Sequence, residues 1–500
     1  MANRAEHSPN EHGMESGSVG HVYTLDEALS VVGFGKFQVF VLLYAALGLI
    51  SESMELMILS FIGPSVKDEW EISSAQESLI STAVFAGMLV GAYFWGVLSD
   101  SYGRRISLLG VAALTAIAAF LSSFSPNYVS LVLTRMVVGI GLGGGHVYSS
   151  WFLEFVPVHN RGIWMSIKTT GTTLGTVLEA LLVWLVLPRM GWRWLLAISS
   201  VPCFAAFGLY FLTVESPRYL YANSKIADVH NILKRVAVVN KRELPPGNLI
   251  SDCITELDEE SNSTADDAPL LSSKKKETSV LLPGLQSLFS LLSPSTLRAT
   301  LLIWVIYSAN AFLYYGVVLL TSELSSGESQ CATSGSHSYD ETNSSLYENV
   351  FVVSLAELPG VVLAAIFVDK IGRRNSMLLM YLCSFILVLP LMFYPNEVLK
   401  VCLLFGARMF IIGGYTLAGI YCPEIYPTSI RSTGAGVATA VARISSMISP
   451  FVSVGLVSSC HQAVAVGIFE FVIIFSATCV FFFAVETKGK ELNDNVSTNN

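Results

Sequence analysis

Gly96-Val97-Leu98-Ser99-Asp100-Ser101-Tyr102-Gly103-Arg104-Arg105 is echoed in the second half of the chain by Val368-Asp369-Lys370-Ile371-Gly372-Arg373-Arg374. In both, Gly follows Asp by three positions and two Arg follow the Gly at once. Each stretch closes one long apolar run and opens the next. A Gly there lets the chain turn sharply in a short loop, and the paired Arg can reach carboxylates on neighbouring helix ends. The echo continues downstream. Glu154 precedes Pro157 by three and Arg161 by seven, and Glu424 precedes Pro427 by three and Arg431 by seven. The apolar runs before them open with Arg135 and Arg408. The last run of each half is left through Glu215-Ser216-Pro217-Arg218 or Glu486-Thr487-Lys488-Gly489. Four matched features in one order make the chain a duplication.

The runs between these marks lie near 37–61, 78–98, 106–124, 128–153, 163–187, 192–213, 298–320, 349–368, 376–394, 399–421, 434–458 and 464–485. Each is long enough, at roughly 20 residues, to cross about 30 Å of hydrocarbon. The 500 residues are 52% hydrophobic and only 13% charged, with a mean hydropathy of +0.58. An ordinary soluble domain carries about 25% charged residues, so a soluble globular enzyme is excluded. Alternating segments of about ten residues, the mark of a closed barrel, do not occur, which leaves helices as the spanning structure. The fold expected is all-α, a polytopic membrane protein of twelve transmembrane helices in two pseudo-symmetric six-helix bundles. Its parts are a polar N-terminal segment (1–35), an N-terminal bundle (36–213), a linker (214–297), a C-terminal bundle (298–485) and a tail (486–500). The first 35 residues lack the order of a cleavable signal, so the first span is expected to stay as an anchor. A net charge of −9 gives no reason to expect nucleic acid as a partner.

Charge sets the orientation. With both termini cytoplasmic, the short inner connections carry Arg104, Arg105, Arg161, Lys370, Arg373, Arg374 and Arg431, while the outer ones carry only Lys67, Arg189, Arg193 and Lys400. The hydrophilic stretch 214–297 then lies inside. Its Ser, Asp and Glu-rich middle reads as disordered linker, and Ile226, Val229, Leu233 and Val236 fall at helical spacing, as in an amphipathic helix on the inner face. Outer loop 321–347 carries the sequon Asn343-Ser344-Ser345, a glycan site on this orientation. Cys331 and Cys460 are the two of eight cysteines in outer loops, where a disulfide is permitted. No metal-ligand spacing appears and no cofactor is expected. Asp266 before Leu270-Leu271 matches an acidic dileucine sorting signal, so the membrane is either the plasma membrane or a vacuolar or endosomal one.

Along its whole folded length the chain resembles the major facilitator superfamily. The loop pattern, with Arg161, Arg431, Glu215 to Arg218 and Glu486 to Gly489, resembles its sugar-porter-related branch. Gly33-Phe34-Gly35-Lys36-Phe37-Gln38, Ser78 to Gly91, Gly191-Trp192-Arg193-Trp194 and Pro423-Glu424-Ile425-Tyr426-Pro427-Thr428 are most similar to synaptic-vesicle-2-related proteins and to plant organic cation/carnitine and nicotinate transporter-like proteins. Departures exist. Ala365 stands where the first-half motif has Gly96, Val214 and Val485 replace a Pro usual in sugar porters, and Ser308-Ala309-Asn310-Ala311-Phe312 lacks their paired Gln. These departures make sugar a poor candidate cargo. The resemblance implies a secondary transporter working by alternating access, with a central site between the bundles.

An ionisable group in hydrocarbon must face a wet cavity or a partner. Glu52 and Glu55, three apart in the first span, share a helical face. They can attract a quaternary ammonium, carry a coupling proton, or do both; the bland alternative is an internal ion pair with Arg135 or Arg443. Asn310, Tyr314 and Tyr315 offer hydrogen bonds beside aromatic faces, suited to a small aromatic or cationic solute, or else pack the core. His146 either joins a proton path or is a buried donor. Gly139, Gly141, Gly143, Gly144 and Gly145 fit tight helix contact better than phosphate binding. Glu179, Glu357, Arg443 and Glu470 are further charges in spans. Glu179 is a second proton-coupling candidate, and Arg443 meets either a cargo carboxylate or a glutamate. Asp100, Arg104, Arg105, Glu154, Arg161, Asp369, Arg373, Arg374, Glu424 and Arg431 form an expected inner gate, holding the bundles together on the inside while the outside is open.

The expected activity is secondary active transport of a small organic ion, an organic cation, carnitine or nicotinate, coupled to protons, by a monomer in the lipid bilayer. The rivals are a phosphate or sugar porter and a non-transporting membrane receptor or scaffold. No enzyme arrangement of nucleophile, base and oxyanion donors is found. The orientation is testable: epitope tags at both termini should resist protease on sealed cells and be cleaved only after permeabilisation. A tag cleaved from outside overturns the assignment.

Overall fold

The computed structural model describes residues 22–157, 161–249, 291–294, 296–325, 339–393, 396–426, 431–483 and 486. Among them, twelve helices are long and apolar enough to cross a bilayer: Lys36–Lys67, Ser74–Ser99, Arg104–Ser122, Tyr128–Leu153, Ile167–Met190, Trp192–Leu212, Leu297–Ser325, Tyr347–Val368, Arg373–Phe393, Glu397–Cys422, Gly434–Leu456 and Gln462–Phe481. They are called the first to twelfth spans. Their order and number match the apolar runs of the sequence, because a helix satisfies every backbone donor and acceptor within itself where no water is present. The described chain is otherwise nearly all helical, apart from a two-residue parallel bridge between Val22–Tyr23 and Asn248–Leu249. Asp266, Leu270 and Cys331 lie outside the described residues. So do the side chains of Asn343, Asp100, Asp369, Arg161 and Arg431, whose backbones belong to helices.

Two spans are irregular for stated reasons. The first is two helices, Lys36–Met57 and Leu59–Trp70, meeting at Ile58. The eleventh ends in a π-turn, Phe451–Leu456, directly after Pro450; a proline lacks the N–H that would continue the ladder, so the chain widens there. Arg135 and Arg408, read from sequence as opening the fourth and tenth spans, instead lie roughly two and three turns inside them. The apolar runs begin earlier because Asn127 and Asn396 cap the helices.

Small residues set how closely the helices approach. A Cβ on Gly87 would lie 2.2 Å from the Met136 carbonyl oxygen, and one on Gly139 2.2 Å from that of Val84. One turn on, Gly91 and Gly143 touch the Ile140 and Met88 carbonyls in the same way. The second and fourth spans therefore pack backbone to backbone through two facing Gly-x-x-x-Gly pairs. The second half repeats the contact between its eighth and tenth spans, where Gly360 abuts the Met409 carbonyl.

The spans alternate direction, so the ends marked by Arg104 and Arg373 lie together; this is termed the arginine end. The described polar and ring contacts between the halves lie at the opposite end and at mid-depth. Ser78 and Thr82 donate to the Pro450 and Met447 carbonyls (3.3 and 3.1 Å). Trp184 stacks on Phe351 at 5.7 Å, and Phe61 meets Tyr347 at 6.4 Å. At the closed end, Glu69 also ties the first span to the sixth by accepting from Trp192 Nε1 and the Arg193 guanidinium. The Arg193 hydrogen bond, foremost, holds its carboxyl below the usual range.

At the arginine end, helices Leu25–Val32 and Ile226–Asn240 pack against each other through Leu25, Ala28, Leu29, Val229 and Leu233. The amphipathic spacing read in the linker is the buried face of the second helix. Asn240 closes the unit. Its Oδ1 accepts from the Phe37 amide (3.0 Å) and its Nδ2 donates to Gln38 (2.7 Å), so the start of the first span is capped from the linker.

The glycine contact is directly testable. Gly139→Leu should lower the thermal stability of the purified protein by about 1–3 kcal/mol or prevent folding, whereas Gly208→Leu, with nothing within 4 Å of its Cβ position, should be near neutral. Equal melting temperatures for the two variants would refute backbone contact at Gly139.

Candidate functional site: a cross-bundle ion pair between braced halves

Charges inside the spans fall into two kinds. The first kind is sealed. Arg135 Nη1 donates to Glu55 at 2.8 Å with both side chains at 0% exposure, and Arg135 Nη2 donates to Ser122 Oγ at 2.6 Å. Arg408 grips Glu357 through Nε and Nη2 (3.0 and 2.8 Å), and Tyr314 donates its hydroxyl to the same oxygen (3.0 Å). Each pair lies within one half. Removing one partner of a buried pair costs about 3–5 kcal/mol, because the other charge stays behind in low dielectric. Beside the first pair, Glu179 receives the Ser199 hydroxyl at 2.8 and 2.9 Å from its two oxygens and lies within electrostatic reach of Glu55 and Arg135.

The second kind is loose and bridges the halves. Glu52, on the first span, lies 3.7 Å from Arg443 on the eleventh, with side-chain exposures of 17% and 14%. That spacing is an ion pair without a good hydrogen bond, and it leaves both charges partly reachable. Arg443 Nη1 donates to the Tyr315 hydroxyl at 2.9 Å. Tyr314 stands between Tyr315 and Tyr415, with ring centroids 5.1 and 5.6 Å away. Gly145 allows Glu52 to sit against the fourth span, since a Cβ there would fall 2.1 Å from the carboxylate. A small cavity reaches Glu52 within the first half, lined among others by Ser51, Thr115, Tyr148 and Cys203. Lys168, on the fifth span, is in electrostatic reach of Glu52 and donates to Ser149 Oγ at 2.5 Å.

The structure thus separates the sequence candidates. Glu52, Arg443, Tyr314 and Tyr315 come together at the interface of the halves. Glu55 is enclosed with Arg135, the bland alternative weighed for it. Asn310 faces into its own half, where its Nδ2 donates to the Tyr381 hydroxyl (2.8 Å) and the Ile306 carbonyl while its Oδ1 has no partner among the described residues. His146 is exposed, with Nδ1 3.1 Å from the Gly143 carbonyl and Nε2 beside Gly96. Glu470 is buried and neither of its oxygens has a described partner. Lys168 and Tyr415 were missed. A lysine inside an apolar run was a visible signal for Lys168, whereas only the fold brings Tyr415 to Tyr314.

At the arginine end each half carries the same cluster. Gly103 and Gly372 precede the third and ninth spans with φ of +104° and +89°, a backbone region that glycine tolerates. Neither can cap its helix with a side chain, and a carboxylate from the end of the same half does so instead. Glu215 accepts from the Arg104 and Arg105 amides (2.9 and 3.2 Å), and Glu486 from the Arg373 and Arg374 amides (2.8 and 3.0 Å). This places an anion on a helix N-terminus. The first Arg of each pair bonds the next motif: Arg104 Nε to Glu154 at 3.0 Å, and Arg373 to Glu424 at 3.0 Å. Burial pushes the Glu154 carboxyl above its usual range despite Arg104. The second Arg of each pair lies over a ring, Arg105 over Tyr210 and Arg374 over Phe481.

The sequence expectation was that these groups bridge the bundles. The contacts of Arg104, Arg105, Arg373, Arg374, Glu154 and Glu424 given above lie within their own half, because the turns deliver them beside the exit of the sixth or twelfth span. They brace each bundle. Glu215→Ala should therefore destabilise the purified protein by about 1–3 kcal/mol and Glu215→Gln, which keeps one acceptor oxygen, by clearly less. Indistinguishable melting curves for both variants and the parent would remove the capping role.

Comparison with known proteins bears on the same features. A family model described as sugar (and other) transporter matches residues 34–495. The chain is 47% identical over 485 residues to organic cation/carnitine transporter 7 of Arabidopsis thaliana, covering 95% of this chain and 97% of that one. It is 32% identical over 488 residues to the synaptic vesicle 2-related protein of Xenopus laevis, covering 94% and 82%. Among solved structures, the xylose transporter XylE from E. coli in a partially occluded inward-open conformation superposes with a TM-score of 0.68 at 18% identity, covering 91% of this chain and 100% of that one, which shows a common fold. With twelve spans in two matched halves, the chain belongs to the sugar (and other) transporter family of the major facilitator superfamily and is a multi-pass membrane transporter.

Proposed function

We propose that the protein carries small organic ions of the carnitine type by alternating access, with nicotinate as the next cargo class, and that transport is coupled to protons. The observation that carries this reading is the loose Glu52–Arg443 pair joining the two halves at 3.7 Å. A cargo bearing both an ammonium and a carboxylate can split the pair and satisfy both charges, the ammonium at Glu52 and the carboxylate at Arg443. Tyr314, Tyr315 and Tyr415 supply aromatic faces for a quaternary nitrogen. The relative at 47% identity, named an organic cation/carnitine transporter, supports the same class.

Charge balance bears on the cargo at Glu52 and on proton coupling at Glu179. Glu52, Arg443 and Lys168 sum to one positive charge, so an anionic cargo such as nicotinate leaves the site neutral, while a zwitterion leaves it positive. Proton uptake at Glu52 frees Arg443 from its partner in an empty carrier. Glu179 is the second proton site: it and Glu55 are two carboxylates beside one guanidinium, and one proton balances them. His146 lies apart from this cluster and ranks last. Asn310 and Glu55 act from behind the site, holding the seventh and first spans. Asp100 and Asp369, with Arg161 and Arg431, close the arginine end in the alternate state, and both termini are cytoplasmic. Cys460 is disulfide-bonded, and we assign Cys331 as its partner, with a glycan on Asn343 in the same outer loop.

Uptake of labelled carnitine, nicotinate, phosphate and glucose into proteoliposomes, with and without a pH gradient, tests the assignment. Saturable uptake of carnitine or nicotinate, raised by an inward proton gradient, is the expected result. Glu52→Gln should lower it at least about tenfold while surface expression is intact. Transport confined to phosphate or glucose would sink the proposal.

A further inference from the structure

The ninth and twelfth spans leave a groove between them on the outside of the second half. Its walls include Leu378, Leu382 and Phe385 from one helix and Ile474, Thr478 and Phe482 from the other. Leu382, Ile474 and Phe482 are 56, 51 and 55% exposed, and in a protein of twelve spans such surface faces acyl chains. Along the twelfth span the lining runs from Ile473 to Phe482, roughly 13 Å at about 1.5 Å per residue. That is close to the thickness of one leaflet, half of about 30 Å of hydrocarbon.

Two guanidiniums stand at the arginine end of this groove. Arg374 Nη2 donates to the Phe481 carbonyl at 2.5 Å, and its guanidinium lies 5.4 Å from the centre of the Phe481 ring. Arg298 Nη2 donates to the next carbonyl, that of Phe482, at 2.9 Å. Arg373 is paired with Glu424, but neither Arg374 nor Arg298 has a carboxylate partner for its guanidinium among the described ion pairs. The two oxygens of Glu486 accept from the backbone amides of Arg373 and Arg374 instead. Each guanidinium has five N–H donors, and one carbonyl engages one of them. Arg298 is exposed. A positive, under-occupied mouth therefore opens onto an apolar channel one leaflet deep.

We propose that an acidic glycerophospholipid of the bilayer binds this groove as a specific ligand. One acyl chain lies between the ninth and twelfth spans, and the phosphate rests on Arg374 and Arg298. A zwitterionic lipid can fill the same space, but it brings its own ammonium to two arginines, and charge complementarity selects the acidic one. Because Arg374 adjoins the Arg373–Glu424 brace, the bound lipid also clamps the start of the ninth span to the end of the twelfth.

The test uses the full chain in nanodiscs of phosphatidylcholine doped with phosphatidylglycerol, with retained lipid counted by native mass spectrometry. The unmodified protein should retain phosphatidylglycerol in preference to phosphatidylcholine. The double variant Arg298→Gln, Arg374→Gln should weaken that retention roughly 30-fold, about fivefold for each arginine. Leu382→Trp, which fills the groove and leaves both guanidiniums, should abolish it. Arg298→Lys should keep it within about threefold, because a point charge remains. Equal retention of both lipids, or an unchanged double variant, would overturn the proposal. Displacement by glycerol phosphate at the same concentration as by phosphatidylglycerol would overturn it too, reducing the site to an anion contact. Thermal melting of the unmodified protein needs no variant: a rise with phosphatidylglycerol over phosphatidylcholine is expected, and no difference counts against a bound acidic lipid.

Discussion

The structure depends on how charge is accommodated where water is scarce. An uncompensated ion between the spans is expensive, so each ionisable group there must be sealed with a partner or held where something else can reach it. Glu55 with Arg135 and Glu357 with Arg408 take the first course, with short hydrogen bonds and essentially no exposure. Glu52 and Arg443 take the second. Their separation is longer, their exposure higher, and they sit on opposite halves. A sealed pair fixes a bundle internally. A loose pair across a dividing plane is held less firmly, and both of its charges keep some exposure.

The duplication is followed closely at the surface and loosely in the interior. At the arginine end, Gly103, Arg104, Glu154 and Glu215 are matched by Gly372, Arg373, Glu424 and Glu486, bond for bond. In the interior, Arg135 and Arg408 correspond, but their carboxylates come from different places, Glu55 on the first span and Glu357 on the eighth. Bracing is a demand that both halves share, so the repeat is kept. The interior is held to no such shared demand, and there the halves diverge. Glu52 draws on cations of both halves, Arg443 on the eleventh span and Lys168 on the fifth.

The spans were legible from sequence because hydrocarbon thickness sets run length, and the surface motifs were legible because turns impose fixed spacings. Glycines 87, 91, 139 and 143 show a spacing whose meaning, facing backbones, emerges only in the fold. Pairing was not legible. Glu52 and Glu55 share a helical face in projection, yet one meets Arg443 and the other Arg135, a choice made by which neighbouring helix lies nearest each turn. The position of Arg135 and Arg408 inside their spans was misread because hydropathy averages hide a charged residue's apolar neighbours on both sides. Lys168 was overlooked for the same reason. The spacing of the arginine motifs did not reveal that Arg104 and Arg373 bond Glu154 and Glu424 of their own half, a matter of loop direction that spacing alone does not encode.

Three caps at the arginine end arrive from far along the chain. The first span is capped by Asn240, the third by Glu215 and the ninth by Glu486. On a ribosome, a nascent third span therefore has bare amides at its start until the sixth has left the exit tunnel. The first span waits longer still, for the helix that follows its own bundle. The starts of these three spans are thus completed only when a later carboxylate or amide has been made, which ties the order of their consolidation to the order of synthesis.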